Sequence, residues 1–295
     1  MELKKLINML MEQRDDYMLS HIMTVGDFKA RLPELFSYKI PTVTKKQGRK
    51  SYKYINIPCA FDIETSSFYR STGKIKPRLK KTATDRDDSK AAFMYVWQCM
   101  IDGYIIMGRT WFEFKELIRV LKNFFKLNNK YRLVLWVHNL SYEFQFLRRY
   151  FKIQDLFATD KRTPIRFQID GVEFRDSLIL SGYALRNLQK DLVHKIDKRE
   201  GDLNYKLIRH KDTPLTDNEK LYCIYDVLIV SVFKLLLFPM LTFGICLLAH
   251  FSLETTLMFV VLSGLLSMLI FIGEGIRDIF DTRKGNQNEK IPCSY

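Results

Sequence analysis

The chain has 295 residues, 47% of them hydrophobic, enough for one sizeable domain with additions. Its 47 Lys and Arg against 33 Asp and Glu give a formal net charge of +14, which suits a polyanionic partner: nucleic acid or an anionic membrane surface. The five cysteines (59, 99, 223, 246, 293) form no C-x-x-C pair and the five histidines show no ligand spacing, which argues against a zinc or disulfide scaffold and fits reduced thiols in a cytosolic protein.

Met1 to Arg14 is charged and amphipathic, with Leu3, Leu6, Ile7 and Leu10 at helical spacing, so no signal peptide is expected. Residues 1–53 read as a basic N-terminal extension, and Lys45-Lys46-Gln47-Gly48-Arg49-Lys50 as an exposed loop. The ordered core is expected to begin near Tyr54. Ile55 to Thr65 predicts a strand that closes on Cys59-Ala60-Phe61-Asp62-Ile63-Glu64-Thr65. A strand alternates its faces, so Asp62 and Glu64 share one. Two like charges so close are costly unless a cation lies between them, and hard divalent cations such as Mg²⁺ take carboxylate oxygens. Taken alone, a strand end running into solvent is the plainer reading.

Ser66 to Lys90 is a basic insert whose Asp85, Asp87 and Asp88 are expected to be solvated. Phe93–Ile101 and Tyr104–Met107 predict a hairpin turning at Asp102-Gly103. Thr110 to Glu113 fits a capping box that opens a helix with Phe114, Leu117, Leu121 and Phe124 on one face. Arg132–Val137 predicts a buried strand, followed by His138-Asn139-Leu140-Ser141-Tyr142-Glu143, with Ser141 as the expected N-cap of a helix through Tyr150. Pro164 to Leu180 reads as a strand pair turning at Asp170-Gly171. Thr216 to Glu219 is a second capping box, launching a helix with Leu221, Ile224, Tyr225, Leu228 and Ile229. Of the side chains nearby, His138 and Tyr225 read as structural, and Asp176 beside Arg175 as a turn or ion pair.

From Leu235 to Gly273 the single charged side chain is Glu254. The run divides into two segments, each near the length that spans a bilayer, with Lys234 before and Arg277 after. Residues 234–276 are thus an apolar helical hairpin, membrane-spanning through 235–272 or the out-of-frame end of an interrupted gene, and 277–295 a polar tail.

Three places concentrate polar chemistry beside apolar segments: Asp62 and Glu64 on a strand, Asn139 and Glu143 at a strand-to-helix junction, and Tyr222 and Asp226 at i and i+4 on a helix. In order and spacing, Phe61-Asp62-Ile63-Glu64-Thr65, His138 to Glu143, and Tyr222-x-x-x-Asp226 resemble the three exonuclease motifs of family B DNA polymerases, most of all the protein-primed phage enzymes. Phe174-Arg175-Asp176-Ser177 and Gly201-Asp202-Leu203-Asn204-Tyr205 support the likeness, which covers residues 54–233.

The resemblance implies an α/β fold, an RNase H-like mixed sheet flanked by helices with the apolar helical tail added. It implies two-metal 3′–5′ hydrolysis of a single-stranded DNA end, with two Mg²⁺ or Mn²⁺ ions about 4 Å apart. Asp62, Glu64, Glu143 and Asp226 would hold the metals, Tyr222 would orient the attacking water, and Thr65 and Asn139 would hold the terminal nucleotide. A terminal (priming) protein or a separate polymerase chain would be a further partner, and the setting the cytoplasm of a host cell, with membrane association through the tail.

Two residues depart from the family pattern. The second motif usually ends in Asp; Glu143 carries the carboxylate about 1.5 Å further out. Some relatives place a phosphate-contacting lysine just before the Gly-Asp pair, where this chain has Glu200, so that Lys198 or Arg199 would have to substitute. The polymerase runs Asp-x-x-Ser-Leu-Tyr-Pro and Tyr-x-Asp-Thr-Asp do not occur, so DNA synthesis is not expected of this chain alone. The alternatives are a free-standing RNase or repair nuclease, and an inactive DNA-binding or membrane-tethered remnant.

Overall fold

The computed structural model describes residues 15–69, 90–160, 163–182, 184–185 and 207–231. The helical pattern before Asp15, most of the basic insert, Lys198, Arg199, Glu200 and the apolar and polar tails lie outside them. Among the described residues no helix is long and apolar enough to cross a membrane; residues 235–272, for which a hairpin is expected from the sequence, lie outside them.

The chain runs α1 (Asp15–Ser20), β1 (Ile22–Met23), α2 (Val25–Leu35), β2 (Thr42–Gln47), β3 (Lys50–Ile55), β4 (Cys59–Tyr69), β5 (Lys90–Ile101), β6 (Tyr104–Gly108) and α3 (Trp111–Phe125). It continues through β7 (Tyr131–Val137), α4 (Leu140–Tyr150), β8 (Gln154–Ala158), β9 (Pro164–Ile169), β10 (Val172–Asp176) and α5 (Ser177–Ser181). A helix over 217–231, α6, follows. The ten described strands form one mixed sheet whose central order is β6-β5-β4-β7-β10. β5 is antiparallel to both neighbours, while β7 and β10 run parallel to β4. This is the expected mixed sheet flanked by helices, of RNase H-like type.

Local chemistry explains most elements. Asp102 and Gly103 both take positive φ, as a two-residue hairpin turn requires, and Asp170 with Gly171 repeats the device between β9 and β10. Thr110 and Glu113 form the predicted capping box, and α3 buries Phe114, Leu117 and Leu121. Phe61 of β4 stacks on Phe114 at 4.5 Å and meets Phe174 of β10 edge-on, so the Phe61 and Ile63 face of β4 is the core face.

Order begins well before Tyr54. α2 starts at a capping box of Thr24 and Asp27 and buries Val25, Phe28, Leu32 and Leu35 in the same core as Phe61. The Lys45–Lys50 stretch is the tip of the β2–β3 hairpin, and β3 pairs with β7 before β4 takes over the same edge at Ala60. The predicted single strand from Ile55 is therefore two, broken at 56–58, and the second runs on to Tyr69.

Candidate metal centre

β4 brings the first two acids to the face opposite Phe61. In the β4–β5 ladder Asp62 pairs with Gln98 and Glu64 with Val96. The register then slips between Glu64 and Thr65. Such a bulge bends a strand and re-aims the side chains beyond it. The Thr65 hydroxyl is hydrogen-bonded to the phenol of Tyr142.

α6 supplies the third acid. Its N-terminus carries the predicted capping box: the Thr216 N–H donates to Glu219 at 2.9 Å and the Glu219 N–H to Thr216 Oγ1 at 3.3 Å. Leu221 to Ser231 are buried without interruption, which seats the helix firmly. Tyr222 packs with Tyr95, Val96 and Cys223, and Val96 is the cross-strand partner of Glu64. One turn on, Asp226 joins Asp62 and Glu64, the ligand oxygens of the three lying within 4.8 Å of one another.

Glu143 comes from the first turn of α4. It is 2% exposed, and its Oε2 has no hydrogen-bond partner among the described residues. Burial, and after it the charge of Asp62, push its carboxyl well above the usual range, with Asp176 and Glu64 adding to the effect. The α4 cap is Asn139 rather than Ser141. Asn139 is exposed, sits in the left-handed region at φ 72°, and makes no capping hydrogen bond with its side chain. That role falls to Asp176, which accepts from the Leu140 N–H at 2.9 Å and, as the cap of α5, from the Ile179 N–H at 3.0 Å.

The structure therefore gathers Asp62, Glu64 and Asp226, sets Glu143 in electrostatic contact with Asp62 and Glu64, and puts Thr65 and Tyr222 on their margins. Lys198 and Arg199 lie outside the described residues. His138 shares a hydrogen bond with Ser177 Oγ at 3.1 Å through its Nδ1. Asp176 caps two helices and is not paired with Arg175, which pairs with Glu173 at 2.5 Å.

Three neighbours were not foreseen. Gln98 Nε2 donates to Asp62 Oδ2 at 2.6 Å. Tyr142 has its hydroxyl pushed up to about 12 by burial, with the nearby acids Glu143, Glu64 and Asp62 adding to the rise; standing three residues after Asn139 and just before Glu143, it could have been found from the motif itself. Arg209 pairs with Glu219 and donates its backbone N–H to Ser66 Oγ at 2.8 Å, which ties the start of α6 to β4.

An all-oxygen set of this kind fits a hard divalent cation, and the like charges held together without one oppose each other. An open cleft of about 500 Å³ lined by Phe93, Arg109, Trp111, Tyr150 and His210 includes none of these carboxylates.

No protein-family model and no curated protein matches the chain. It is similar to solved structures of Phi29 DNA polymerase. For the ternary complex with primer-template DNA and incoming nucleotide substrates, identity is 15% and the TM-score 0.45, over 62% of this chain and 31% of that one. For the post-translocation binary complex with primer-template DNA the values are 16% and 0.43, over 59% and 30%. For the orthorhombic crystal form they are 16% and 0.43, over 61% and 30%. The chain thus spans less than a third of the length of the polymerase structures it resembles.

Proposed function

We propose that this chain is a metal-dependent 3′–5′ exonuclease acting on single-stranded DNA, of the kind that forms the editing portion of family B DNA polymerases. The observation that carries the reading is the meeting of Asp62 and Glu64, from an early strand, with Asp226, from a helix at the other end of the described chain. Solvated acids have no reason to converge from distant elements and be largely buried; ligands do.

Asp62, Glu64 and Asp226 would hold Mg²⁺ or Mn²⁺ directly, with Glu143 completing the set for a second ion. Bound there, two such ions supply an activated water and neutralise the charge that develops on the phosphate and the leaving 3′-oxygen. The protein's own part is positioning. Thr65, on the re-aimed end of β4, and exposed Asn139 would bind the terminal nucleotide. Tyr222, one helical turn from Asp226, would orient the water through its hydroxyl. The net charge of +14 favours a polyanionic substrate. Nothing in the described residues carries the terminal-protein or membrane partners.

The test is digestion of 5′-labelled single-stranded DNA by the full chain with Mg²⁺ or Mn²⁺. A ladder shortening from the 3′ end is expected, abolished by Asp62→Ala with Glu64→Ala and competed better by DNA than by RNA. Equal cleavage by that double variant would sink the proposal. A second reading, single-strand binding without cleavage, draws on the buried Glu143, whose carboxyl resists ionisation. It requires salt-sensitive binding with no metal-stimulated cleavage.

A further inference from the structure

We infer that Gln98 is a positioning residue for the metal centre: its amide fixes the Asp62 carboxylate in the orientation that receives a cation. The inference rests on the nuclease reading and deepens it.

Gln98 is fully buried on β5, directly across the ladder from Asp62. Around it the strand is otherwise apolar, with Val96, Trp97, Cys99, Met100 and Ile101 all buried. One end of the amide is used: Nε2 donates to Asp62 Oδ2 at 2.6 Å. The other is not: Oε1 is buried and has no hydrogen-bond partner among the described residues. A buried carbonyl without a partner is destabilising, so packing alone would favour methionine or leucine of similar volume here. The amide is therefore in place for its donor.

That donor suits the task. A hydrogen bond to one oxygen restrains the carboxylate from rotating about its Cβ–Cγ bond. Because the donor is neutral, it orients Asp62 without supplying a positive charge that would compete with the cation. A lysine or arginine at the same place would form a salt bridge and occupy the site.

The experiment is calorimetric titration of Mn²⁺ into the metal-free full chain, with thermal unfolding of each variant in parallel. Gln98→Met is expected to bind Mn²⁺ 10- to 100-fold more weakly, the usual effect of losing a hydrogen-bond partner of a metal ligand. Its metal-free thermal midpoint is expected to equal or exceed the parent's. Gln98→Asn keeps the amide but retracts it by about 1.5 Å. The same fall in affinity is expected there, which covers the case in which Gln98→Met does not fold. Parent-level affinity in the Gln98 variants, with Asp62→Asn still weakening binding, overturns the role of Gln98 and leaves the nuclease reading intact. Absence of Mn²⁺ binding by the unsubstituted chain overturns both. A lowered metal-free thermal midpoint in a folded Gln98→Met also overturns the inference, because the amide would then be serving the fold; Gln98→Asn is read for affinity alone, since the methylene it removes from a buried site destabilises by itself.

Discussion

Asp176 and Leu140 join two helix starts through one carboxylate. Asp176 Oδ2 accepts the Leu140 N–H at 2.9 Å, at the head of α4, while Oδ1 accepts the Ile179 N–H at 3.0 Å, at the head of α5. Each bond satisfies a donor that a helix N-terminus leaves unpaired. Asn139, in the cap position of α4, does not supply that bond from its own side chain.

Asp176→Ala therefore strips both helix starts at once and is expected to cost roughly 2–4 kcal/mol, the sum of two capping bonds to a carboxylate. Asp176→Asn keeps one acceptor oxygen and is expected to lose about half as much. Urea unfolding of the three proteins measures this. A loss below about 1 kcal/mol in the alanine variant would mean that water or a neighbour replaces the carboxylate.

Arg209 and Glu219 form a buried ion pair at the head of the helix that delivers Asp226, with the guanidinium also 5.7 Å from the Tyr95 ring. Burial acts to raise the Glu219 pKa, but hydrogen bonds from Thr216 and Arg209 outweigh it and hold the carboxyl below its ordinary value. A depressed carboxylate contributes stability above its unfolded pKa, near 4.5, and loses it as pH falls through the folded value. Arg209→Met removes the cation and leaves Glu219 buried, for an expected loss of about 3–5 kcal/mol at pH 7. That deficit should narrow as the pH is lowered below 4.5, because Glu219 then protonates in both proteins. Urea midpoints followed from neutral to acid pH read the difference; curves that stay parallel would exclude the pair as its source.

The parts of the fold that could be read in the sequence are those set by near neighbours. The turns at Asp102-Gly103 and Asp170-Gly171 and the boxes at Thr110 and Thr216 depend on residues at most four apart. The three motifs were legible for the same reason: each is short, and their order places the acids on a strand, a junction and a helix. What was missed depends on distant partners. Phe28, Leu32 and Leu35 sit among charged residues, and their burial follows from packing in a core built mainly by later strands. β8 is short and mostly exposed, so no apolar alternation marks it. Gln98 meets Asp62 through the β4–β5 register, which spans the whole basic insert. Asp176 looks like a turn residue until β10 is laid beside β7 and its carboxylate comes level with Leu140.

Glu143 is the most buried of the four candidate ligand carboxylates, and in the metal-free protein it is a source of instability. It is buried, burial and then Asp62 oppose its ionisation most, and Asp176 and Glu64 add to that opposition. An acid whose folded pKa is raised contributes stability below its unfolded value, near 4.5, and loses it as pH rises through the folded value. Toward neutral pH the metal-free parent should therefore lose stability at this residue. Glu143→Gln keeps the shape without the charge, so its thermal midpoint in a chelator is expected to exceed the parent's at neutral pH and to converge with it toward pH 4.5. Adding Mn²⁺ should reverse the order, because ligand binding stabilises the protein with the intact carboxylate more. If Glu143→Gln melted below the parent in chelator at neutral pH, Glu143 would be paired and stabilising instead of held ready for a cation.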